Sequence, residues 1–324
     1  MKRFSIITVI SIVISLAAFL TQANAFSLPD PTSTLLGLGG IPAASEHGDF
    51  YSYSLPLLAL NEDIINGTGT GPGTPYYVVS TPGAIKDDIV VATGPGGGPV
   101  IDNSNWGLMD DAYETPNSNS KTTFSTKVEP DPNPAFAAQG DTADTWDITL
   151  SALTNYLDGN NLIFFFNHNE KDSGGTTQQD LYGWGRVALV DLQGNLNTTY
   201  FYFANPVEGN YSKYEPLDGN FVFAPGKIVL GNYTINHNLG ANQAAYAMFS
   251  PDLNDILNDL DNPAYSDFDV MQLELRLKDL SNGYEQLFIQ RADRVTNIIP
   301  EPGSLFLLGT GLLGAFGLIR RKKK

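Results

Sequence analysis

The second half of the chain carries the clearer pattern. Met271, Leu273, Leu275 and Leu277 alternate with Gln272, Glu274, Arg276 and Lys278. Trp146, Ile148 and Leu150 alternate in the same way with Asp147 and Thr149. A period of two sends successive side chains to opposite faces, so both stretches read as strands with one buried and one wet face. Residues 162–166 are apolar without interruption over the length of one strand, which predicts a strand buried on both faces. Residues 181–191, 198–203, 221–223 and 227–230 add further strands, with Gln193-Gly194-Asn195 and Asp218-Gly219 as turn chemistry between them. Ser281-Asn282-Gly283 predicts a hairpin that joins 271–278 to a partner strand over 284–291.

Helical spacing is rarer. Ser250-Pro251 opens a helix with Leu253, Ile256, Leu257 and Leu260 on one face. A shorter helix is expected over 151–157, capped by Ser151 and stopped at Asp158-Gly159. The first half is weaker. Phe50, Ser52, Tyr53 and Leu55 predict a strand over 50–60, and 76–80 and 89–92 predict short strands. Residues 26–48 read as an extended, mobile start, and 114–139 as a long loop or internal boundary. Together these elements predict an all-β body over 26–299, mainly an antiparallel β-sandwich or jelly-roll-like domain. It should have roughly nine to twelve strands and one or two short helices.

Both ends differ from this body. Lys2 and Arg3 precede an apolar run over 4–20, and Ala23-Asn24-Ala25 forms a small-x-small cleavage site. This is the pattern of a signal helix in an export peptide, 1–25, and it implies the Sec export machinery as a partner. At the other end Pro300-Glu301-Pro302 is followed by an uncharged run over 304–319, then by Arg320, Arg321, Lys322, Lys323 and Lys324. Sixteen helical residues span about 24 Å, a little short of a hydrocarbon core, so 304–319 is expected to be a transmembrane helix. The five cations should keep its end in the cytoplasm.

Motif, helix and basic end in this order resemble the PEP-CTERM sorting signal of Gram-negative bacteria. The resemblance covers about 25 residues and leaves the body untouched. It implies an exosortase, a membrane protease-transpeptidase, that removes residues 300–324. It also implies an inner-membrane-anchored precursor, then delivery to the cell envelope or extracellular matrix, often alongside exopolysaccharide in biofilm.

Setting both end segments aside changes the charge. They hold seven of the 18 basic residues and one of the 35 acids, so the body keeps 34 acids against 11 bases, a net charge of −23. That disfavours nucleic acid and anionic lipid as partners of the body. No cofactor is expected, calcium being the one for which the composition makes room. There is no cysteine, which excludes disulfides, thiolate metal sites and cysteine nucleophiles.

The three histidines are His47, His168 and His237, and two of them sit in the same tripeptide, Asn167-His168-Asn169 and Asn236-His237-Asn238. Both lie near strand ends and could meet side by side, but no ligand spacing marks a metal site. Asp141, Asp144 and Asp147, and the acidic stretch 252–261, lack the glycine and closing glutamate of a calcium loop. No Gly-x-Ser-x-Gly elbow is present, and nothing selects a carboxylate pair among the acids, so no catalytic residue is assigned and the body is not expected to be an enzyme. Tyr182, Trp184, Tyr200, Tyr202, Tyr211 and Tyr214 could stack on sugar rings. The expected function is a structural or adhesive protein of the envelope or biofilm matrix. The second reading is a carbohydrate-binding module, calcium-assisted. The third is an extracellular hydrolase.

Overall fold

The structure, a computed structural model, describes residues 26–94, 103, 108–117, 120–132, 142–170, 179–207, 213–281 and 283–291. Residues 25–295 form one compact unit. The signal segment with Ala23 and Ala25, the Pro300-Glu301-Pro302 motif, the apolar run 304–319 and the basic end all lie outside the described residues. Among the described residues no helix is long and apolar enough to cross a membrane.

The body is mostly β-sheet. A six-stranded sheet runs Thr199–Phe203, Leu181–Val190, Val270–Lys278, Thr123–Ser125, with Val222–Ala224 and Trp146–Thr149 paired to its two long central strands. A seven-stranded sheet runs Ser45–His47, Phe50–Ser54, Tyr246–Phe249, Phe164–Asn167, Gln286–Ile289, Ile89–Thr93, Tyr113–Glu114. All pairs are antiparallel except the last, Ile89–Thr93 with Tyr113–Glu114.

One core joins the sheets. Leu273, Leu275 and Leu277 project from the six-stranded sheet into the same cluster as Phe164, Phe166, Leu287 and Ile289 of the seven-stranded one. The alternation over 271–277 therefore faces inward as the sequence predicts. The strand Phe164–Asn167 is buried on both faces, as its unbroken apolar run requires: Phe165 points away from the shared core into a second cluster with Tyr53, Leu55, Leu58 and Phe288. That second cluster is covered by the helix Leu55–Asn66 and by the first residues of the body.

Several elements depart from the sequence reading. The strand at 50 ends at Ser54, and a twelve-residue helix, Leu55–Asn66, follows. Ser54 caps it by accepting the Leu57 N–H, a proline stands in its first turn, and Gly67 ends it at φ 66°. Leu55, Leu57, Leu58 and Ala59 are buried along this helix, a spacing that no strand would bury on one side.

Residues 26–48 are packed rather than loose, because Phe26, Leu35, Leu38 and Ala43 are core residues. Phe26 packs edge-on to Phe165 with ring centroids 5.5 Å apart. Within the expected loop 114–139, Thr123–Ser125 is a strand and buries Phe124. Residues 76–80 contribute only a single bridge, Val79 to Gln243, and Pro82–Ile85 is a short helix. The described residues hold four α-helices and 17 short strands, more of each than the pattern predicts.

The largest correction concerns the expected hairpin after residue 278. Val270–Lys278 lies in the six-stranded sheet, and Gln286–Ile289 lies in the other, between Phe164–Asn167 and Ile89–Thr93. Burial explains it. Leu287, Phe288 and Ile289 are all within 4 % of full burial, so this strand needs cover on both faces. Both sides of Val270–Lys278 are in any case taken, by Leu181–Val190 and by Thr123–Ser125 with Trp146–Thr149. The chain crosses between sheets instead.

Candidate functional site

The strand Leu181–Val190 has Leu181, Val187 and Leu189 facing the shared core. Its even positions, Tyr182, Trp184, Arg186 and Ala188, therefore share the outer face. Register extends that face across the neighbours. Tyr182 lies opposite Phe223, Arg186 opposite Tyr202 and Glu274, Ala188 opposite Tyr200, and Trp184 opposite Arg276. Four of the tyrosine and tryptophan positions singled out in the sequence are thus brought onto one surface, and Tyr214 packs against them. Tyr211 lies outside the described residues. Phe223 was missed, because Phe221-Val222-Phe223 alternates over only one period, too short to tell which face its rings take.

These rings do two different jobs. Trp184 is buried at 1 % exposure, with its indole N–H donating to the Tyr214 carbonyl at 2.7 Å. Tyr202 and Tyr214 stack at 5.1 Å and 16°. Together with Phe221 and Ala204 they form a small core of their own on the outer face. Tyr182, Tyr200 and Phe223 stay open, at 36 %, 46 % and 48 % exposure. Tyr182 and Phe223 lie with centroids 5.2 Å apart, and Tyr200 lies 6.2 Å from Tyr202. Six residues separate positions 182 and 188, so the open rings at the two ends stand about 20 Å apart along the strand. The packed rings between them make the row continuous.

Cations thread through this row. The Arg186 guanidinium lies 5.1 Å from the Tyr200 ring centre and that of Arg276 lies 5.5 Å from Trp184. Lys213 and Lys278 lie over Tyr214 and Phe221. The face thus holds four of the eleven basic residues of a strongly acidic body. Glu274 was expected on a wet face, yet its side chain is only 4 % exposed. Arg186 at 2.7 Å and Arg276 at 2.5 Å hold its two oxygens. This clamp fixes both guanidinium planes against the rings.

A second polar cluster lies at the strand ends where the two Asn-His-Asn tripeptides meet. His168 bridges to Asn238 in parallel register, and Leu239 N–H donates to the His168 carbonyl. Asn167 donates its amide to Ser80 Oγ at 2.6 Å and to the Gly240 carbonyl at 2.8 Å. Burial pushes His168 down to about 3 and His237 down to about 4, so both are neutral imidazoles. Glu285 is wholly buried and lies near Glu170, which accepts the Ser281 N–H. Burial pushes both carboxyls up, that of Glu285 well above the usual range, with its partner's charge adding to the effect. The pair was not legible in sequence, since 115 residues separate its members. Among the described residues no group of three or more histidines and acids is gathered to hold a metal ion. Asp147 is buried and accepts from Thr142 N–H and Thr145 Oγ, whereas Asp144 is exposed and lies 3.8 Å from Lys127. Asp141 lies outside the described residues.

The β-rich body is followed in sequence by an apolar and basic end. Residues 299–322 match the PEP-CTERM protein-sorting motif. Residues 28–276 match the model of a domain of unknown function, DUF8239, and the chain belongs to that family. Comparison with curated proteins and with solved structures returns no match. The motif marks the chain as an exported protein recognised and processed by an exosortase.

Proposed function

We propose that the protein is an adhesive component of the extracellular matrix of a Gram-negative bacterium, and that the outer face of its six-stranded sheet holds a neutral polysaccharide. One observation carries the reading: Tyr182, Phe223 and Tyr200 are open at the two ends of a single row of rings. Sugar rings have apolar faces of C–H groups that stack on aromatic rings, and a row about 20 Å long suits several sugars in one chain. Charge supports the choice of a neutral polymer. The body carries 34 acids against 11 bases, and the two arginines on the face are already engaged by Glu274. Sugar hydroxyls can still accept from the remaining guanidinium N–H groups.

In this reading the exosortase releases the body from its inner-membrane anchor into the envelope, and the sheet face ties it to exopolysaccharide. Binding rather than turnover is the role, because the buried carboxyl pair and the buried histidines His168 and His237 lie at strand ends outside the six-stranded sheet and not along the row of rings. Affinity electrophoresis in gels cast with neutral polysaccharides tests it. Retarded migration, relieved in a Tyr182→Ala, Phe223→Ala double variant, is expected. Equal migration of both proteins in every gel would overturn it.

A further inference from the structure

Between the two sheets lies a cavity of about 270 Å³. Its walls include Phe164 and Phe166 from the seven-stranded sheet and Leu275 and Leu277 from the six-stranded one, with Phe203 and Met248 beside them. Two glycines make the room. Gly183 and Gly185 hold consecutive inward positions on the strand Leu181–Val190, between the core residues Leu181 and Val187. A Cβ at Gly183 would come no closer than 3.8 Å to Leu277, and one at Gly185 no closer than 3.6 Å to Phe203. Neither glycine has a positive φ. Close approach and backbone conformation thus give no reason for glycine here, and glycine weakens a strand. What the pair supplies is space.

A few polar side chains interrupt the apolar wall, Ser45, His47, Ser52 and Arg186 among them. Ser54 and His237 also line the cavity. Ser54 Oγ accepts the Leu57 N–H as the helix cap, and it lies 2.7 Å from His237 Nε2. With the hydroxyl donating to Nε2, the neutral imidazole carries its own proton on Nδ1, the tautomer that would offer a donor. His237 is 1 % exposed and its Nδ1 has no hydrogen-bond partner among the described residues. The ring is held flat against Tyr246, with centroids 4.9 Å apart and planes 6° from parallel, so it cannot readily turn to find one. A mainly apolar space with an unpartnered imidazole nitrogen among its few polar groups is complementary to an apolar chain that ends in an acceptor oxygen.

We propose that this cavity binds a medium-length acyl chain, with its carbonyl or carboxyl oxygen accepting from Nδ1 of His237. One water needs about 10–15 Å³ of such space, so the cavity is many times larger than a water site and has room for a medium-length chain, for which a ten-carbon acyl group is the probe. The acyl group can come from a free fatty acid or from a lipid ester.

Calorimetric titration of the protein isolated from exporting cells, with decanoic acid in one arm and 1-decanoylglycerol in the other, tests this. Saturable binding at one site is expected. Binding of the acid alone identifies a free fatty acid as the ligand, and binding of the ester identifies a lipid source. Gly183→Val is expected to lower affinity at least tenfold while its melting temperature stays equal or rises, since the side chain fills space and favours the strand. Gly185→Ala, a single added methyl, should lower affinity a few-fold and serves if the valine variant does not fold. The Nδ1–H proton resonance of His237 should shift on titration. No saturable binding in either arm, or unchanged affinity in a folded cavity-filled variant, would overturn the proposal.

Discussion

Acid should loosen this protein through its two buried histidines, and the size of the effect follows from their surroundings. Burial holds His168 at about 3 and His237 at about 4, against 6.5 for an exposed histidine. Below pH 6.5 the unfolded chain takes up protons at these positions and the folded chain does not. The stability they allow is therefore fully present above pH 6.5 and is lost as pH falls toward the folded values. A pH of 5 lies about 1.5 units below the unfolded value of each histidine, which is about 2 kcal/mol apiece and about 4 kcal/mol together. Glu170 and Glu285 act in the opposite sense. Their folded values are raised, so their contribution is present at low pH and is lost as pH rises above the ordinary carboxylate range. The wild-type curve mixes the two effects, and a variant separates them. Urea unfolding at pH 7 and pH 5 should be measured for wild type and for His168→Leu. The variant removes one titrating group and leaves the carboxyl pair in place. Its loss of stability between the two pH values should be smaller than that of the wild type by about 2 kcal/mol. Equal losses would mean that His168 is protonated in the folded protein or is open to water, and the burial argument would fail.

Two further outcomes follow from the tail and from the sheet. Glu301→Ala should stop processing, because Pro300-Glu301-Pro302 is part of the matched sorting motif; the mass of the protein in cells and in medium checks this, and normal release of a trimmed product would count against it. Leu275→Asp should cost several kcal/mol, since Leu275 is 8 % exposed inside the shared core. Arg276→Asp should cost about 1–3 kcal/mol rather than nothing, because it removes one of two partners of the buried Glu274 carboxylate. Thermal melts that moved equally for both would place residue 275 outside the core.

Much of the sheet structure was legible because burial on one face or both leaves a direct trace. The alternation over 271–277 and the apolar run over 162–166 each predicted which faces are covered. The helix Pro251–Leu257 was legible from its Ser250 cap and its proline. What failed was pairing. Ser281-Asn282-Gly283 is good turn chemistry, but turn chemistry says nothing of which sheet the next strand joins, and burial of Leu287, Phe288 and Ile289 decided that. The helix Leu55–Asn66 was hidden because Phe50 to Ser54 begins with a strand pattern and the switch of period falls at one residue. At the outer face, the run Tyr182, Trp184, Tyr200, Tyr202 was visible as composition and period. Its division into open and packed rings was not, since that depends on Tyr214 and on the Glu274 clamp, which come from other parts of the chain.

The most direct test of the central claim is a glycan array probed with the wild-type protein and with a Tyr182→Ala, Tyr200→Ala, Phe223→Ala variant, each with and without calcium. The three residues are surface-exposed, so the variant should melt within a few degrees of the wild type. The account predicts that the wild type binds neutral oligosaccharides, with longer chains held more tightly than short ones, and that the folded variant loses at least tenfold in affinity, as removal of two or more stacked rings would produce. Undiminished binding by the folded variant, or no glycan bound by the wild type in either condition, would contradict it.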